Sequence, residues 1–472
     1  MSSPSTEIKK PTIEKENRPP SRELVSIVED GMMGELVYNK TLISPFQFAV
    51  WEGDLSVKKS LSINGETISP PRAARNVVEP GVVTLPTAAV PYGSQSSLVR
   101  EVASFVHKYA DVPEYWEDLI THYILMTWVY DRFSAVPYLR FLGEPGTGKS
   151  RLLMICSKLA YKSISAGGST SVSPLFRLME VYHGTLVLDE ADYRYSELWS
   201  DLAKVLNQGY SRGMTVLRSQ KVGDNYEAKG FDVFGPKIIA NRSRFGDPAL
   251  EQRCLTLQTQ ERDIRKEVPC QLPPGFYEEA SCLRDKLLMW RFQNFHRINA
   301  DESKLLDLDG RLTQIGTPIY SVASDEKFRS QFLEYLRNYA SEQKASKPQA
   351  LVVEALLRLK SKGKNTITVK EATEECNSVL RDRGADEDLT PKRIGSVLRS
   401  VGFEKQRTNV GYKINLEVHR KRLEQLAHDY GLAEDFHVAD SEKRESEGGK
   451  GSRNIHATSP PAAREGGQAI VI

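Results

Sequence analysis

The chain has 472 residues, 40% hydrophobic and 27% charged, the balance of an ordinary globular protein with room for two or three domains. Lysines and arginines (64) barely outnumber the acids (62), so no global field draws it to nucleic acid and any such attraction must be local. Five scattered cysteines without a C-x-x-C pair argue against a disulfide framework or a common zinc site, and fit a reducing cytoplasm.

Residues 1–20, rich in Pro, Ser and charge, read as a disordered tail and not as a signal peptide. Residues 21–95 hold short apolar runs such as LVSIVED and FQFAVWEG between Gly, Asn and Pro breakers, and read as a small β-rich module. It carries no chemical motif; a protein contact or the collar of an oligomer would suit it. Helical spacing follows over 97–109 and 114–133, broken at Pro113. The apolar run 123–130 is far too short to cross a bilayer, so no membrane partner is expected.

The sharpest signal lies at 137–150, PYLRFLGEPGTGKS, with a helical pattern from Arg151 onward. An apolar strand, Gly143-Glu144-Pro145-Gly146-Thr147-Gly148-Lys149-Ser150 and a helix make the G-x-x-x-x-G-K-[ST] phosphate-binding loop. Gly146 and Gly148 let backbone N–H groups point inward, and the helix N-terminus adds partial positive charge. Lys149 would reach the β- and γ-phosphates of ATP, the Ser150 hydroxyl would ligate Mg²⁺, and Arg151 would join the loop in binding the nucleotide. Downstream, a strand at 163–168 and a helix over 172–181 lead to GTLVLDEAD. Its apolar strand ends in Asp189, placed to hold Mg²⁺, and Glu190, placed as general base toward the attacking water.

A helix over 195–210, a hairpin turning at 221–225 and the strand GPKIIAN ending at Asn241 come next, and then EQRCLTL. This order resembles the AAA+ ATPase core over roughly residues 90–340. Clamp loaders place a strand ending in Asn before Ser-Arg-Cys; Gln252 stands in place of that Ser, so clamp loading is not implied. Minichromosome-maintenance helicases have a similar hairpin before that strand. The block 139–257 also resembles AAA+ ATPases of phages and mobile elements. The resemblance implies Asn241 as sensor 1 and Arg253 as an arginine finger toward a neighbouring subunit, with Arg212, Arg242 and Arg244 as competitors. It implies a pore-facing role for Lys221, which is equally readable as a solvated turn lysine. Helices over 277–295 and 326–340 would form the helical lid, and Arg284 or Arg291 would serve either as sensor 2 or as ordinary helix arginines.

After a linker at 341–349, helices over 350–359, 370–380 and 392–401 precede two short strands, 402–407 and 411–415. Thr390-Pro391 is a strong helix start. This succession resembles a winged helix, the helix-turn-helix variant common in DNA-binding proteins. Lys392, Arg393, Arg399, Lys405, Arg407 and Lys413 concentrate positive charge there, for DNA phosphates or for a protein partner. Residues 440–472 read as a second disordered tail.

The expected organisation is therefore an α/β AAA+ core, a parallel sheet with flanking helices. In order, the segments are tail 1–20, β-rich module 21–95, ATPase core 96–270, lid 271–340, winged helix 347–430 and tail 440–472. The expected activity is ATP hydrolysis with Mg²⁺, driving a helicase-like motor on DNA as a homo-oligomeric ring, for example a hexamer. A loader, an ATP-controlled DNA-binding regulator and a protein remodeller are the alternatives.

Overall fold

The structure, a computed structural model, describes residues 21–29, 31–167, 170–189, 197–222, 225–261, 263–345, 347–382, 388–408 and 411–432. The tails expected at 1–20 and 440–472, and the general base Glu190, lie outside these residues. The chain divides into two compact units between Arg337 and Asn338.

The first unit begins with strands β1 (Ser21–Glu23), β2 (Ser26–Glu29), β3 (Met32–Tyr38), β4 (Phe46–Trp51), β5 (Leu55–Lys58), β6 (Leu61–Ile63) and β7 (Glu66–Ser69). They form two small sheets ordered β2-β3-β4-β5 and β1-β7-β6. Helices α1 (Ala74–Val78), α2 (Gln95–Tyr109) and α3 (Glu114–Thr127) follow, then β8 (Tyr138–Leu142), α4 (Lys149–Leu159) and β9 (Ile164–Ala166). Next come α5 (Val172–Tyr182), β10 (Leu186–Leu188), α6 (Glu197–Gln208), the hairpin β11 (Thr215–Val222) and β12 (Asn225–Asp232), β13 (Lys237–Asn241), α7 (Pro248–Glu251) and β14 (Cys254–Gln258). Helices α8 (Gly275–Asn294), α9 (Gly310–Val322) and α10 (Glu326–Ala345) complete the run, and the division between units falls inside α10.

The central sheet is five-stranded and parallel, ordered β14-β8-β13-β10-β9. Its strands are short continuous apolar runs, as burial on both faces demands; β8, β10 and β13 are buried at every position. Asn241 is in register with Leu142, and Leu188 with Ile239, so the C-terminal ends of β8, β13 and β10 lie along one edge. The β-rich segment does not stand apart from this sheet. Leu36, Phe48 and Val50 belong to the same buried cluster as Tyr138, Ile164 and Leu186. Val83 bridges to Ile164 and extends the β9 edge.

Helices α10 and α11 (Pro348–Ser361) take up most of the linker expected at 341–349, and two further helices differ from the sequence reading. The spacing over 277–295 predicts one apolar face, yet α8 buries Arg284, Asp285 and Arg291 as well as Leu283, Leu287 and Trp290. Its polar residues face partners: Asp285 accepts from the Thr87 and Ala88 backbone N–H groups, and Arg291 pairs with Glu35 and Asp131. Helix α9 was not foreseen. It carries Pro318 in its interior and is held by burial of Ile315, Ile319 and Val322 and an Asp309 cap on the Arg311 and Leu312 N–H groups.

The second unit holds α11 (Pro348–Ser361), β15 (Thr366–Thr368), α12 (Val369–Asp382), α13 (Pro391–Ser400), β16 (Gln406–Thr408), β17 (Gly411–Asn415) and α14 (Arg420–Asp429). Its sheet is ordered β15-β17-β16, over a core of its own that includes Leu356, Ile367, Ile394, Leu398 and Ile414. Local chemistry starts its helices. The Thr390 hydroxyl accepts from the Arg393 N–H, and Thr368 and Glu371 form a reciprocal capping box at the head of α12.

Candidate functional site

The phosphate loop leaves the buried strand β8 and enters α4 with Gly146 at φ +84° and Gly148 at φ +88°, conformations that favour glycine. Gly143 needs its missing side chain for another reason: a Cβ there would sit 2.4 Å from the Thr259 carbonyl oxygen. Gly148 caps α4 without a side-chain hydrogen bond, so the first-turn N–H groups face the loop. Thr147 donates its hydroxyl to the Glu144 carbonyl at 2.8 Å and lies 2.7 Å from the Thr259 hydroxyl, which fastens the loop to the strand end of β14. Lys149 lies over the same loop, its ammonium donating to the Glu144 carbonyl at 2.6 Å.

Ser150 and Asp189 come together, Oγ donating to Oδ1 at 3.4 Å, although they are 39 residues apart in the chain. Two oxygens ligating one Mg²⁺ at right angles at ~2.1 Å would stand about 3 Å apart, so this pair fits a shared cation. Asn241 is buried at the end of β13, between the strands carrying the loop and Asp189, and its carbonyl accepts from the Gly143 N–H at 3.2 Å. Lys149, Ser150, Asp189 and Asn241 thus share one edge of the sheet, where ligands collect in open parallel sheets.

The arginines fare differently. Arg253 is buried, with its guanidinium on Asn207 and 4.1 Å above the Tyr210 ring, so it packs within its own chain. Arg242 and Arg244, both exposed, lie between β13 and α7, and Arg244 is 3.3 Å from Glu251, which is itself clamped by Arg140 of β8. Arg151, expected among the nucleotide ligands, donates to the Pro269 carbonyl at 3.0 Å and to that of Cys270. Arg291 is wholly buried between Glu35 and Asp131, and Arg284 donates to the Lys158 carbonyl near the far end of α4. Burial holds the Arg284 guanidinium down to about 10. Neither reaches the loop, which leaves them as packing arginines.

No sequence motif marks the cavity beside the loop. It encloses about 790 Å³ between Gly146, Thr147 and Leu152 on one side and Val112, Trp116 and Ile264 on the other. Its far wall is held by Arg265, 3.2 Å from Asp111 and 3.6 Å from Glu117. The size and the mixture of an aromatic and aliphatic lining with a few polar groups suit a small-molecule ligand.

In the second unit, Lys392, Arg393, Arg399 and Arg407 are exposed. Lys405 is instead half-buried and donates to the Gly395 carbonyl; burial, with Arg399 nearby, lowers its pKa. An aromatic group joins this surface unforeseen: Tyr412 is exposed and is the cross-strand partner of Arg407. Lys221 is exposed at the end of β11.

Fold and site together define a mixed α/β protein with a parallel sheet compatible with a phosphate-loop core. No family model matches the sequence, and no curated protein matches it. Among solved structures it is similar to one described as the active helicase Cch of SCCmec type IV, at 12% identity and a TM-score of 0.38, over 85% of this chain and 80% of that one. It is also similar to the apo A form of the NrS-1 C-terminal region, at 12% identity and a TM-score of 0.35, over 82% and 95% of the two chains. A second such structure, covering 305–718 of NrS-1, gives 10% identity, a TM-score of 0.34 and coverages of 81% and 96%. Likenesses this distant assign no residue and no activity here.

Proposed function

We propose that this protein is an ATP-hydrolysing motor of the AAA+ type, similar to the minichromosome-maintenance-like helicases of mobile elements and phages, that acts on DNA as a homo-oligomeric ring. The observation that carries the reading is the convergence of Lys149, the Ser150–Asp189 pair at 3.4 Å and buried Asn241 on one sheet edge beside a phosphate loop. Residues 96–270 are the ATPase core, 271–340 its helical lid and 347–430 a winged helix whose exposed Lys392, Arg393, Arg399 and Arg407 meet DNA phosphates.

In this reading the loop N–H groups and Lys149 bind the phosphates, Lys149 leaving the Glu144 carbonyl to do so. Ser150 and Asp189 hold Mg²⁺, which supplies neutralisation of charge on the terminal phosphates. Asn241 orients the attacking water and Glu190 takes its proton. The cavity between Leu152 and Trp116 receives the base and sugar. A finger from the neighbouring subunit completes the site. Arg253 fills that role by leaving Asn207 and Tyr210; Arg212, Arg242 and Arg244, all exposed, are its competitors. Among the described residues no helix is long and apolar enough to cross a membrane, and a cytoplasmic protein is proposed.

Steady-state ATP turnover with and without single- and double-stranded DNA, followed by strand displacement, tests this. We expect DNA-stimulated turnover that Lys149→Ala and Glu190→Gln each reduce at least a hundredfold. Turnover indifferent to DNA, with no retention of DNA by the chain, would sink the reading; stimulation without displacement would convert the motor into a loader. Mixing Glu190→Gln with Arg253→Ala or Arg244→Ala subunits identifies the finger by which mixture regains turnover.

A further inference from the structure

One face of α4 looks onto β9 and β10. Ser150, Leu153, Ser157 and Lys158 fall on it by helical spacing. Across from them stand Val187 of β10 and Ser165 of β9, parallel partners in register, while their neighbours Leu186, Leu188 and Ile164 join the core on the opposite face of the sheet. Between helix and strands lies a cavity of about 270 Å³, several times the ~30 Å³ that a water occupies. It reaches from the Ser150–Asp189 pair to Lys158, which is about 12 Å further along the helix axis.

Two polar groups in this cavity are uncommitted. Among the described residues the half-buried Lys158 ammonium has no carboxylate partner, and the Ser165 hydroxyl makes no hydrogen bond. The charge felt at Lys158 is that of another cation, Arg284 of α8, which donates to the Lys158 carbonyl at 2.7 Å. Asp285, next to Arg284 in the chain, is committed to the Thr87 and Ala88 N–H groups. Burial and then Arg284 lower the Lys158 pKa, and an anion in the cavity would offset both. Asp189 is the one carboxylate in the lining, and it sits at the far end with Ser150.

We propose that this cavity is the exit for the inorganic phosphate set free by ATP hydrolysis, with Lys158 and Ser165 as its landing site. The proposal rests on the ATPase reading above and adds the route by which one product leaves. Ser150 and Asp189 mark the end of the nucleotide that carries the β- and γ-phosphates, so the cleaved phosphate is released where the cavity begins. On the other side of the loop, the base and sugar of ADP fill the larger cavity between Leu152 and Trp116 and close that way while ADP stays bound. The smaller cavity stays open. At its inner end the Lys158 ammonium and the Ser165 hydroxyl donate to the phosphate oxygens, and the ammonium gains the counter-charge it lacks.

The test is a single turnover of the full chain with ATP and Mg²⁺, in which acid quench reads bond cleavage and a fluorescent phosphate sensor reads release. Lys158→Ala should lengthen the delay between the two about threefold or more, and so should Ser165→Val, which removes the hydroxyl and narrows the cavity. Lys158→Arg keeps the charge and should stay near the parent. A second measurement needs no turnover. With ADP and Mg²⁺ filling the loop, inorganic phosphate should raise the parent's thermal unfolding midpoint, and Lys158→Ala should need about tenfold more phosphate for the same rise, the worth of one charge-assisted hydrogen bond. Midpoints without phosphate check that each variant is folded. If Lys158→Ala and Ser165→Val both keep the parent's delay, or Lys158→Ala responds to phosphate like the parent, the exit is wrong and the ATPase reading stands. Slower cleavage with the parent's delay also overturns it, because that is an effect on the packing of α4. If the parent makes no phosphate from ATP, the ATPase reading fails, and the exit with it.

Discussion

The β-rich segment at residues 21–69 and the C-terminal unit are both small and both contain antiparallel strands, but they are held by different means. The first is joined to the phosphate-loop sheet by a buried ionic knot. Glu35 of β3 lies 2.7 Å from the Lys162 ammonium and 2.8 Å from the Arg291 guanidinium, and accepts from the Tyr161 hydroxyl at 2.9 Å. Lys162 follows α4 by three residues, so the knot ties the β-rich segment to the far end of the helix that carries Lys149 and Ser150. Burial lowers the Lys162 pKa, and Glu35 only partly offsets this. In the C-terminal unit the helices begin on local caps and close over an apolar core. Long-range charge in one region and short-range capping in the other imply different responses to mutation and to pH.

The largest effect is expected at the knot. Glu35→Ala leaves the buried Lys162 ammonium without its carboxylate and Arg291 with Asp131 alone, and should destabilise the first unit by about 3–5 kcal/mol in urea unfolding, leaving the second unit's transition unmoved. A loss below about 1 kcal/mol would erase the contrast between the regions.

The next effect follows pH. His122 of α3 is buried against Phe328, ring centroids 3.8 Å apart, and burial holds its pKa down to about 4 from an ordinary 6.5. The unfolded chain takes up this proton first, so the stability held above pH 6.5 falls as pH drops toward 4, by about 3 kcal/mol in all. Unfolding midpoints measured across that window should fall for the parent and much less for His122→Leu; parallel curves would remove the histidine from the account.

The smallest effect lies in the C-terminal unit. Thr390→Ala removes the cap on α13 and should cost about 1 kcal/mol, visible only in that unit's transition. A shift of both transitions together would show that the two units do not unfold independently.

How far the sequence could be read follows the same divide. The phosphate loop was legible because its glycines, lysine and serine are adjacent, and the requirement for positive φ at Gly146 and Gly148 is local. The strands ending in Asp189 and Asn241 were legible as apolar runs, and Thr390-Pro391 announced α13 in advance. Helix α9 was hidden by Pro318, whose cost is offset by burial against other elements. Arg253 looked like a projecting group because spacing says nothing of Asn207 and Tyr210, which lie 46 and 43 residues earlier.

The sequence by itself determined the phosphate loop, the caps and the elements with a strong local pattern, since these depend on residues within a few positions of one another. Tertiary structure alone decided that Ser150 meets Asp189, that Arg151 turns to the Pro269 carbonyl, and that a cavity opens beside Trp116. It also decided that Glu35 binds Lys162 and Arg291. The physical reason is that burial and ion pairing depend on which distant segments fill the same space, and a one-dimensional pattern of polarity does not record that choice.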